Sequence, residues 1–440
     1  MLAIELKNRI KQLNSWIAKP QNGIDFIQRF MPPVYVHRKM ESEFRKTDRA
    51  MLIVGPRQTG KSTIVWNYLK YDLLSTIYLN MEDPLLRSSL VDTVDFIEHL
   101  QEEYPYVNSI FIDEIQHMQE AGLFVKGLVD ARLNLSIIVT GSSSFHLRSR
   151  TRESLAGRAI RKKLLPFSVR ELLTHGNFLN LTAKIVGFNK ILTHQLTFGS
   201  YPQIYLSRDE DEKKMFLSEL VEALILRDAS DLFKIKRIDS FRKMLTLLSG
   251  QIGNLVNYSE IASICNIDVG TVKSYIEILE ESHVVKIMVP FAGGKRREIT
   301  GSPKVYFIDN GIRNMLINNF SKDIDLRIDK GQLLENWVFS EINKILPFQS
   351  SIKFWRSKAG AEVDFVIEHA GRVYALEVKF SDLKAMRINR SARSFIEAYE
   401  PNKFAILNTS LEHSTCIKNT EIKFITPFQL TGWLKEIIDH

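Results

Sequence analysis

The chain has 440 residues, of which 45% are hydrophobic and 25% charged, and this ordinary globular composition excludes collagen-like, low-complexity and wholly disordered proteins. Its length exceeds what one hydrophobic core supports, so we expect about three modest domains. Lys and Arg number 59 against 51 Asp and Glu, and the net charge of +8 is compatible with an acidic partner without identifying one.

Cysteine content and hydropathy bear on the location of the protein. Two cysteines, Cys265 and Cys416, are too few for a disulfide framework or a Cys-rich zinc module. The opening residues are charged within one helical turn and predict no secretory signal. No run of about 18 apolar residues predicts a membrane span. We therefore expect a reducing, cytoplasmic setting and no membrane partner.

Hydrophobic patterning divides the chain into five predicted segments. They are an N-terminal helical segment (1–48), an α/β core around a parallel sheet (49–175), a helical connector (176–240), a helix-rich segment with a final β-hairpin (241–324) and a mixed α/β domain (325–440). The strands predicted in the α/β core are Ala50–Val54, Thr76–Leu79, Ser109–Ile112, Ser136–Thr140 and Lys162–Leu165.

Residues 55–62 match the phosphate-loop pattern G-x-x-x-x-G-K-[ST] in full. The match follows an apolar strand and precedes a helical pattern, and this context disfavours a mere glycine turn with a surface lysine. Loop N–H groups and the helix N-terminus would surround phosphate oxygens. We expect Lys61 to reach the β- and γ-phosphates and Ser62 to hold Mg²⁺. The predicted nucleotide contacts are Gly55, Pro56, Arg57, Gln58, Thr59, Gly60, Lys61, Ser62 and Thr63.

An acid pair follows the predicted strand Ser109–Ile112. A magnesium-assisted phosphate site needs a carboxylate at the end of a neighbouring strand. Asp113 would bind Mg²⁺ through water, and Glu114 would orient and deprotonate the attacking water. A second acid directly after the first favours hydrolysis over binding alone. ATP and Mg²⁺ are therefore the expected cofactors.

Hydroxyl and basic side chains follow the next predicted strand. Because the ends of parallel strands converge on the ligand crevice, Ser142 or Ser143 is expected to touch the γ-phosphate or the water, with a small-residue turn as the alternative. Arg158 follows Gly157, which lets the backbone approach closely, and it is the candidate arginine finger in cis or from a neighbouring subunit. A solvated basic face is the alternative interpretation of this stretch.

Motifs spread over most of the chain together resemble a known family. They are Gly-Pro-Arg-Gln-x-Gly-Lys-Ser, Phe-Ile-Asp-Glu-Ile-Gln, Thr-Gly-Ser-Ser-Ser, Leu-Ala-Gly-Arg and Leu-Pro-Phe-Ser-Val-Arg-Glu-Leu. In order and spacing they resemble the prokaryotic AAA-type ATPases that carry a C-terminal DUF4143 domain. The resemblance implies an ASCE-type P-loop core, a winged-helix middle and a nuclease-like end. Some AAA-type relatives form rings, so a homo-oligomer is also expected. The chain departs from the family pattern at Ser62-Thr63 and at Gly199-Ser200-Tyr201-Pro202.

The middle segment resembles a winged helix-turn-helix. A helix ending at Cys265, a turn, a second helix over 269–279 and strand-like residues after it fit a module whose second helix often enters a DNA groove. That second helix carries Lys273, but Glu277 lies on it and Glu280 and Glu281 follow it directly, and a phosphate backbone repels these acids. A packing module is therefore an equal alternative, and the basic turn at 295–297 is the better candidate for DNA contact.

Carboxylates gather in a predicted C-terminal hairpin. If a four-residue loop closes it, Glu368 pairs with Val373, and Asp364 then faces Glu377 on the same side of the sheet. Two facing carboxylates repel each other, and either a divalent cation between them or the neighbouring lysine would relieve that cost. Asp364 and Glu377 are the candidate metal ligands. Lys379 would position or activate a water or stabilise phosphate charge.

An Asp followed by Glu-x-Lys across a hairpin resembles the PD-(D/E)xK nuclease superfamily. Glu335, on the preceding helical stretch, matches the upstream acid that those folds often use and is the third candidate metal ligand. The proline that precedes the Asp in that pattern is absent. The alternative is a degenerate fold whose charged face binds nucleic acid or another subunit.

The sequence thus predicts an α/β protein with three parts: a P-loop AAA-type domain with a parallel sheet, a winged-helix-like middle domain and a restriction-endonuclease-like α/β domain. Mg²⁺-dependent ATP hydrolysis by a Glu114-activated water would drive nucleic-acid processing or defence, and DNA is the first candidate with RNA as the alternative. The alternative, from a different class, is a nucleotide-switched binding or assembly protein whose C-terminal domain is catalytically inactive.

Overall fold

The computed structural model describes residues 2–90, 92–141, 155–225, 235–293 and 301–439. The chain divides into two compact units. The first consists of Met1–Pro166 with Glu281–His283, and the second of Phe167–Glu280 with Val284–His440. Within the described ranges, no helix combines the length and the apolar character needed to cross a membrane.

The first unit alternates helices with the strands of one sheet. Its elements are α1 (Ile4–Leu13), α2 (Pro20–Phe30), β1 (Ala50–Val54), α3 (Lys61–Leu69), β2 (Thr76–Asn80), α4 (Pro84–Ser89), α5 (Thr93–Glu103), β3 (Ser109–Asp113), α6 (Ala121–Asp130), β4 (Ser136–Gly141) and β5 (Ala159–Lys163). The strands are parallel and lie in the order β2-β3-β4-β1-β5. This parallel sheet confirms the predicted α/β class.

The central strands form because they are short apolar runs that helices cover on both sides. Every residue of β1 and of β3 is buried, as expected for a parallel sheet with two covered faces. Alternate side chains of β1 enter two cores. Leu52 belongs to the cluster that contains Phe96 of α5, and Ile53 to the cluster around Trp66 of α3.

The predicted strands β1 to β4 are confirmed to within a residue at each end, but the fifth prediction is wrong by a few residues. The predicted strand was Lys162–Leu165, which includes the apolar pair Leu164-Leu165, whereas β5 is Ala159–Lys163. This edge strand is charged and only partly buried, so apolar character does not mark it. The Leu164 N–H donates to the carbonyl oxygen of Val54 just beyond the strand.

The second unit begins with helices and ends with a mixed sheet. Its elements are α7 (Val169–His175), α8 (Leu181–Thr197), α9 (Pro202–Leu206), α10 (Glu210–Ala223), α11 (Ile238–Gly250), α12 (Tyr258–Cys265), α13 (Val269–Glu281), β6 (Val285–Met288), β7 (Lys304–Phe307), α14 (Asn310–Leu316), α15 (Lys330–Ile345), β8 (Ser351–Arg356), β9 (Glu362–His369), β10 (Arg372–Val378), α16 (Arg390–Tyr399), β11 (Lys403–Leu407), β12 (His413–Ile417), β13 (Thr420–Ile425) and α17 (Leu430–Ile438). The larger sheet has the order β12-β13-β11-β10-β9-β8.

The middle segment contains the predicted pair of short helices. Asn257 begins α12 by accepting hydrogen bonds from two backbone N–H groups, and Asn266 ends it in the left-handed conformation at φ +53°. Strand β6 pairs antiparallel with β7. The basic turn at 295–297 lies outside the described residues, and the DNA-reading interpretation of this segment stays a prediction.

The hairpin β9–β10 has the predicted register but a tighter turn. Glu368 pairs with Val373, and the ladder continues to Phe365 opposite Leu376. The predicted four-residue loop is wrong, because the strands already pair between His369 and Arg372. The two remaining turn residues, Ala370 and Gly371, have φ of +48° and +77°, which matches the twist of the flanking strands.

Helices cover the C-terminal sheet on both faces. On one side, Phe395 and Ile396 of α16 share a core with Val366. On the other side, Phe365 of β9 lies against the ring of Tyr306, which stacks on Phe339 of α15. Strand β7 and helix α15 therefore lie beside the face of β9 that carries the ring of Phe365.

Candidate nucleotide site and carboxylate cluster

The phosphate loop joins β1 to α3 and is shaped by two glycines. A Cβ atom on Gly55 would lie 2.0 Å from the carbonyl oxygen of Leu164, so only glycine fits at this close approach of two chain segments. Gly60 precedes α3 with φ +87°, a conformation that favours glycine. The loop therefore turns sharply enough to point successive backbone N–H groups inward.

Lys61 is buried in the first turn of α3 and lies across the loop. Its ammonium group donates to the carbonyl oxygens of Gly55 at 3.2 Å and Pro56 at 2.9 Å. The Thr59 hydroxyl donates to the same Pro56 oxygen at 2.9 Å, and an Arg38 guanidinium N–H donates to the Thr59 carbonyl at 3.0 Å. These bonds give the loop a defined shape around the lysine.

Ser62 and Asp113 meet at the carboxyl end of the sheet. The Ser62 hydroxyl donates to Asp113 Oδ1 at 2.9 Å. The same oxygen accepts a bond from the Thr140 hydroxyl, and Asp113 Oδ2 accepts one from the Tyr78 hydroxyl at 3.4 Å. A hydroxyl and a carboxylate so placed are hard oxygen ligands of the kind that Mg²⁺ takes, so these residues fit that ion.

The two adjacent acids differ in their electrostatics. Burial, followed by the nearby Glu114 charge, raises the pKa of Asp113 to about 6. Burial also acts to raise the pKa of Glu114, but the charge of Lys61 and a hydrogen bond from Gln116 outweigh it and hold that pKa below its usual value. Glu114 is thus the stronger acid and is ionised at neutral pH.

Glu114 also has an unusual backbone conformation. Its φ of +54° lies in the left-handed region, which a non-glycine residue adopts at a cost of about 1 kcal/mol. The Glu114 N–H donates to the Thr140 hydroxyl oxygen at 3.3 Å, and the Gln116 side chain donates to the Glu114 carboxylate. Neighbouring groups therefore hold the carboxylate in one orientation.

One of the two further predicted contacts lies outside the described residues, and the other lies away from the phosphate loop. Ser142 is outside the described residues. Arg158 directly precedes β5, and its carbonyl oxygen accepts from the N–H of Ala50, the first residue of β1. Its side chain donates to Asp130 Oδ1 at 2.7 Å. The phosphate loop follows Val54 at the other end of β1, about 16 Å away for a five-residue strand, so this arrangement disfavours a finger in cis, and the finger stays a prediction.

A second group of charged side chains lies in the C-terminal part of the chain, on β9 and β10. Asp364 accepts a hydrogen bond from the Val378 N–H at 2.7 Å. Glu377 is buried, and its Oε1 accepts from Lys379 Nζ at 2.6 Å and from Asn389 Nδ2 at 2.5 Å. The other oxygen of Glu377 is buried and has no hydrogen-bond partner among the described residues.

Two more carboxylates and a lysine complete this group. Glu335 of α15 accepts a hydrogen bond from the Tyr306 hydroxyl at 2.5 Å. The ammonium group of Lys304 lies 3.5 Å from Glu335 Oε1 and forms an ion pair with Glu362. We call Glu335, Glu362, Asp364 and Glu377 the carboxylate cluster.

Burial controls the electrostatics of this cluster. Burial has the largest effect on Asp364. Together with the charge of Glu335, it raises the pKa of Asp364 well above its usual value. Burial likewise raises the pKa of Glu335, although the Lys304 charge opposes the shift. Burial acts to lower the pKa of Lys304, but the surrounding carboxylates outweigh it and raise that pKa.

Three family models match consecutive parts of the chain. An AAA domain model matches residues 47–173, and two models of domains of unknown function, DUF8612 and DUF4143, match residues 189–323 and 330–429. The chain carries an AAA domain and a DUF4143 domain. The phosphate loop lies in the first of these, and the carboxylate cluster lies in the second.

Relatives and solved structures add little about function. The chain is 28% identical over 331 residues to an uncharacterized protein of Methanocaldococcus jannaschii, covering 73% of this chain and 72% of that one. An uncharacterized protein of Haemophilus influenzae is 25% identical over 358 residues, covering 77% and 84%. AMPPCP-bound DnaA from Aquifex aeolicus is 17% identical with a TM-score of 0.23, covering 55% and 85%, and so low a score places no residue of one chain on a residue of the other.

The carboxylates of the DUF4143 domain do not fit a metal ion as they are arranged. The ammonium group of Lys304 already contacts Glu335 and Glu362. Across the described residues, no group of three His, Cys, Asp or Glu side chains is placed to hold a metal ion. The predicted ligand set of Glu335, Asp364 and Glu377 stays a prediction, and in this arrangement Lys304 and Lys379 supply positive charge beside these acids.

Sequence reasoning missed several residues of both sites. In the AAA domain it missed Thr140, although this residue ends the same apolar strand that directed attention to Ser142. In the DUF4143 domain it did not name Glu362 as a member of the cluster. Nothing in the sequence around Lys304 indicates that this residue is buried, since it begins a short strand whose burial depends on α15 and β9.

Proposed function

We propose that this protein is a Mg²⁺-dependent ATPase. The observation that supports this most is the hydrogen bond between Ser62 and Asp113, which brings the end of the phosphate loop to the end of β3. Lys61 directly precedes Ser62, and Glu114 directly follows Asp113. An AAA domain with this pairing has the groups needed to bind phosphates and to act on a water.

Each residue of the AAA domain has a distinct part in this proposal. Loop N–H groups bind the phosphates, and Lys61 exchanges its bonds to Gly55 and Pro56 for phosphate oxygens. Ser62 and Asp113 would hold Mg²⁺, which would supply charge that neutralises the phosphates. Glu114, ionised and oriented by Gln116, accepts a proton from the attacking water.

We propose that the nucleotide cycle controls binding by the DUF4143 domain rather than cleavage by it. This reading is supported by Lys304, whose ammonium group contacts the cluster that a nuclease would use for metal. The basic excess of the chain favours an acidic partner, and nucleic acid is our candidate, with DNA before RNA. Self-assembly of the chain is a further part of this proposal.

A second candidate function is metal-dependent nucleic-acid cleavage by the DUF4143 domain. One observation favours it: Glu377 has a buried oxygen that lacks a hydrogen-bond partner in the described structure, beside Lys379. A buried polar atom without a partner costs free energy and calls for an explanation, which an absent ion or ligand would supply. Asp364 and Glu377 also occupy the positions that the nuclease pattern predicts.

One set of assays tests both candidates. Phosphate release is measured for wild type and Lys61→Ala, and we expect the variant to lose it. Cleavage and binding of single- and double-stranded DNA are then measured with Mg²⁺ or Mn²⁺, with and without ATP. We expect ATP-dependent binding without cleavage.

Two variants on one hairpin decide between the candidates. Glu377→Ala removes a cluster member, and Glu368→Ala removes a carboxylate from the far end of β9, where it pairs with Lys353. DNA cleavage abolished by Glu377→Ala but kept by Glu368→Ala would establish the nuclease and contradict the binding proposal. Absence of phosphate release from wild type would contradict the ATPase itself.

A further inference from the structure

Lys304 is held in place far more firmly than a surface lysine. Only 3% of it is exposed. It begins β7, where its backbone pairs with Met288 on β6 and bridges to Leu255 on the other side. Its ammonium group lies 5.4 Å from the ring centre of Phe354. A lysine normally keeps its charge in water while only its stem is buried, so this buried ammonium group needs partners.

The partners are acids from two separate elements. Lys304 Nζ lies 3.5 Å from an oxygen of Glu335 on α15 and pairs with an oxygen of Glu362 on β9. The Glu335 oxygen is fixed in turn by the Tyr306 hydroxyl. Asp364 lies two residues after Glu362 and so shares its side of the strand. The ammonium group thus joins like-charged groups that would otherwise repel one another.

The cluster divides its positive charge between two lysines. Lys379 pairs with Glu377 at one end, and Lys304 pairs with Glu335 and Glu362 at the other. Buried carboxylates require nearby positive charge, and a divalent ion at this place would meet the same need that Lys304 meets. The ammonium group and such an ion would compete for the same oxygens and would repel each other.

We propose that Lys304 is a built-in cation that takes the charge-balancing place of a divalent ion in the carboxylate cluster, so that the cluster binds Mn²⁺ or Mg²⁺ only when Lys304 is removed. Lys304 lies in the DUF8612 match, whereas the acids lie in the DUF4143 match. The preceding domain thereby supplies the cation of the DUF4143 domain. This inference does not depend on whether the AAA domain hydrolyses ATP.

The test is a titration of the full chain with Mn²⁺, in which electron paramagnetic resonance measures the Mn²⁺ that remains free. Nucleotide is left out, since a phosphate loop holds its ion largely through the phosphates. Lys304→Met keeps the length of the side chain without its charge, and Lys304→Arg keeps the charge. We expect Lys304→Met to bind one Mn²⁺ ion at the carboxylate cluster. Its dissociation constant for that ion should be at least tenfold lower than the value for wild type or Lys304→Arg.

A double variant assigns the ion to the cluster. Lys304→Met with Asp364→Asn should lose the additional Mn²⁺. Equal Mn²⁺ affinity in wild type and Lys304→Met would overturn the proposal, because lysine and metal would then not compete. Folded Lys304→Met that binds no additional Mn²⁺ would overturn it as well.

Loss of folding in Lys304→Met is also informative. In that case Mn²⁺ should restore the far-ultraviolet circular dichroism and the thermal transition of Lys304→Met, but not of the double variant. Failure of Mn²⁺ to restore them would overturn the proposal. Phosphate release by the wild-type protein is recorded separately, so failure of the ATPase proposal is distinguishable from failure of this one.

Discussion

Asn336 pairs with both backbone polar groups of Phe307, accepting from its N–H at 2.7 Å and donating to its carbonyl oxygen at 3.0 Å. The asparagine is fully buried in α15, and Phe307 ends β7. The amide side chain therefore satisfies both backbone polar groups of Phe307, as a neighbouring strand would. This pairing fixes β7 beside α15, and with it the position of Lys304 beside Glu335.

We expect Asn336→Asp to lower the free energy of unfolding by about 2–4 kcal/mol. The carboxylate loses the donor to the Phe307 carbonyl oxygen and to Asn310 Oδ1, and it places a charge or an extra proton in a buried site. Urea unfolding followed by tryptophan fluorescence measures the change. The matched control is Asn180→Asp, since exposed Asn180 caps α8 through its oxygen alone and an aspartate caps equally well. Equal losses in both variants would contradict the pairing.

Much of the AAA domain was predictable because its information is local. Strands such as β1 are continuous apolar runs, and the phosphate loop and the acid pair are contiguous in sequence. The register of the hairpin β9–β10 was also predictable, since a short turn leaves few alternatives for Asp364 and Glu377. The strand β5 was misplaced because it is a charged edge strand.

The full membership of the carboxylate cluster could not be predicted from the sequence. The position of Glu335 was inferred from a family pattern, but its partner Lys304 lies on another element and carries no mark of burial. The same holds for Asn336, which reads as an ordinary polar helix residue. Tertiary packing alone decides that such side chains become buried and paired.

We expect Glu114→Gln to bind ATP with unchanged affinity and to hydrolyse it about 10²–10³-fold more slowly. Glutamine keeps the size of the side chain but cannot accept a proton from water. Phosphate release gives the rate, and a fluorescent ATP analogue gives the affinity. Glu120→Gln, an exposed acid shortly after it on the same connection, should hydrolyse ATP normally. Undiminished hydrolysis by Glu114→Gln would contradict the assignment of the base.

We expect Arg158→Ala to hydrolyse ATP within about twofold of wild type when the protein is dilute enough to be monomeric. Arg158 lies at the amino end of β5, whereas the phosphate loop follows the carboxyl end of β1, and its pair with Asp130 is exposed, so we expect its loss to leave stability nearly unchanged. Lys61→Ala is the inactive control. A tenfold loss in the dilute Arg158→Ala protein would contradict this placement. A loss confined to high protein concentration would instead reveal a finger supplied by a neighbouring subunit.

Asp329 connects two buried arginines and predicts a measurable pH dependence. It pairs with Arg313, and its oxygens accept from Arg327 Nε and Arg327 NH2, each at 2.9 Å. Burial acts to raise the pKa of Asp329, but these guanidinium groups outweigh it and lower the pKa from 3.8 to about 2. Because the folded pKa is depressed, the stabilisation is fully present above about pH 4 and is lost as the pH falls through about 2.

We expect Asp329→Asn to be less stable than wild type by about 2–4 kcal/mol at pH 7, since it leaves both guanidinium groups without their carboxylate. This difference should narrow by about 1 kcal/mol between pH 7 and pH 3, as wild type begins to lose the same charge. Urea unfolding at several pH values measures both quantities. Exposed Asp325→Asn, close by in the chain, should differ from wild type by less than about 0.5 kcal/mol at every pH. A difference for Asp329→Asn that stays constant down to pH 3 would show that its ionised form does not carry the stabilisation.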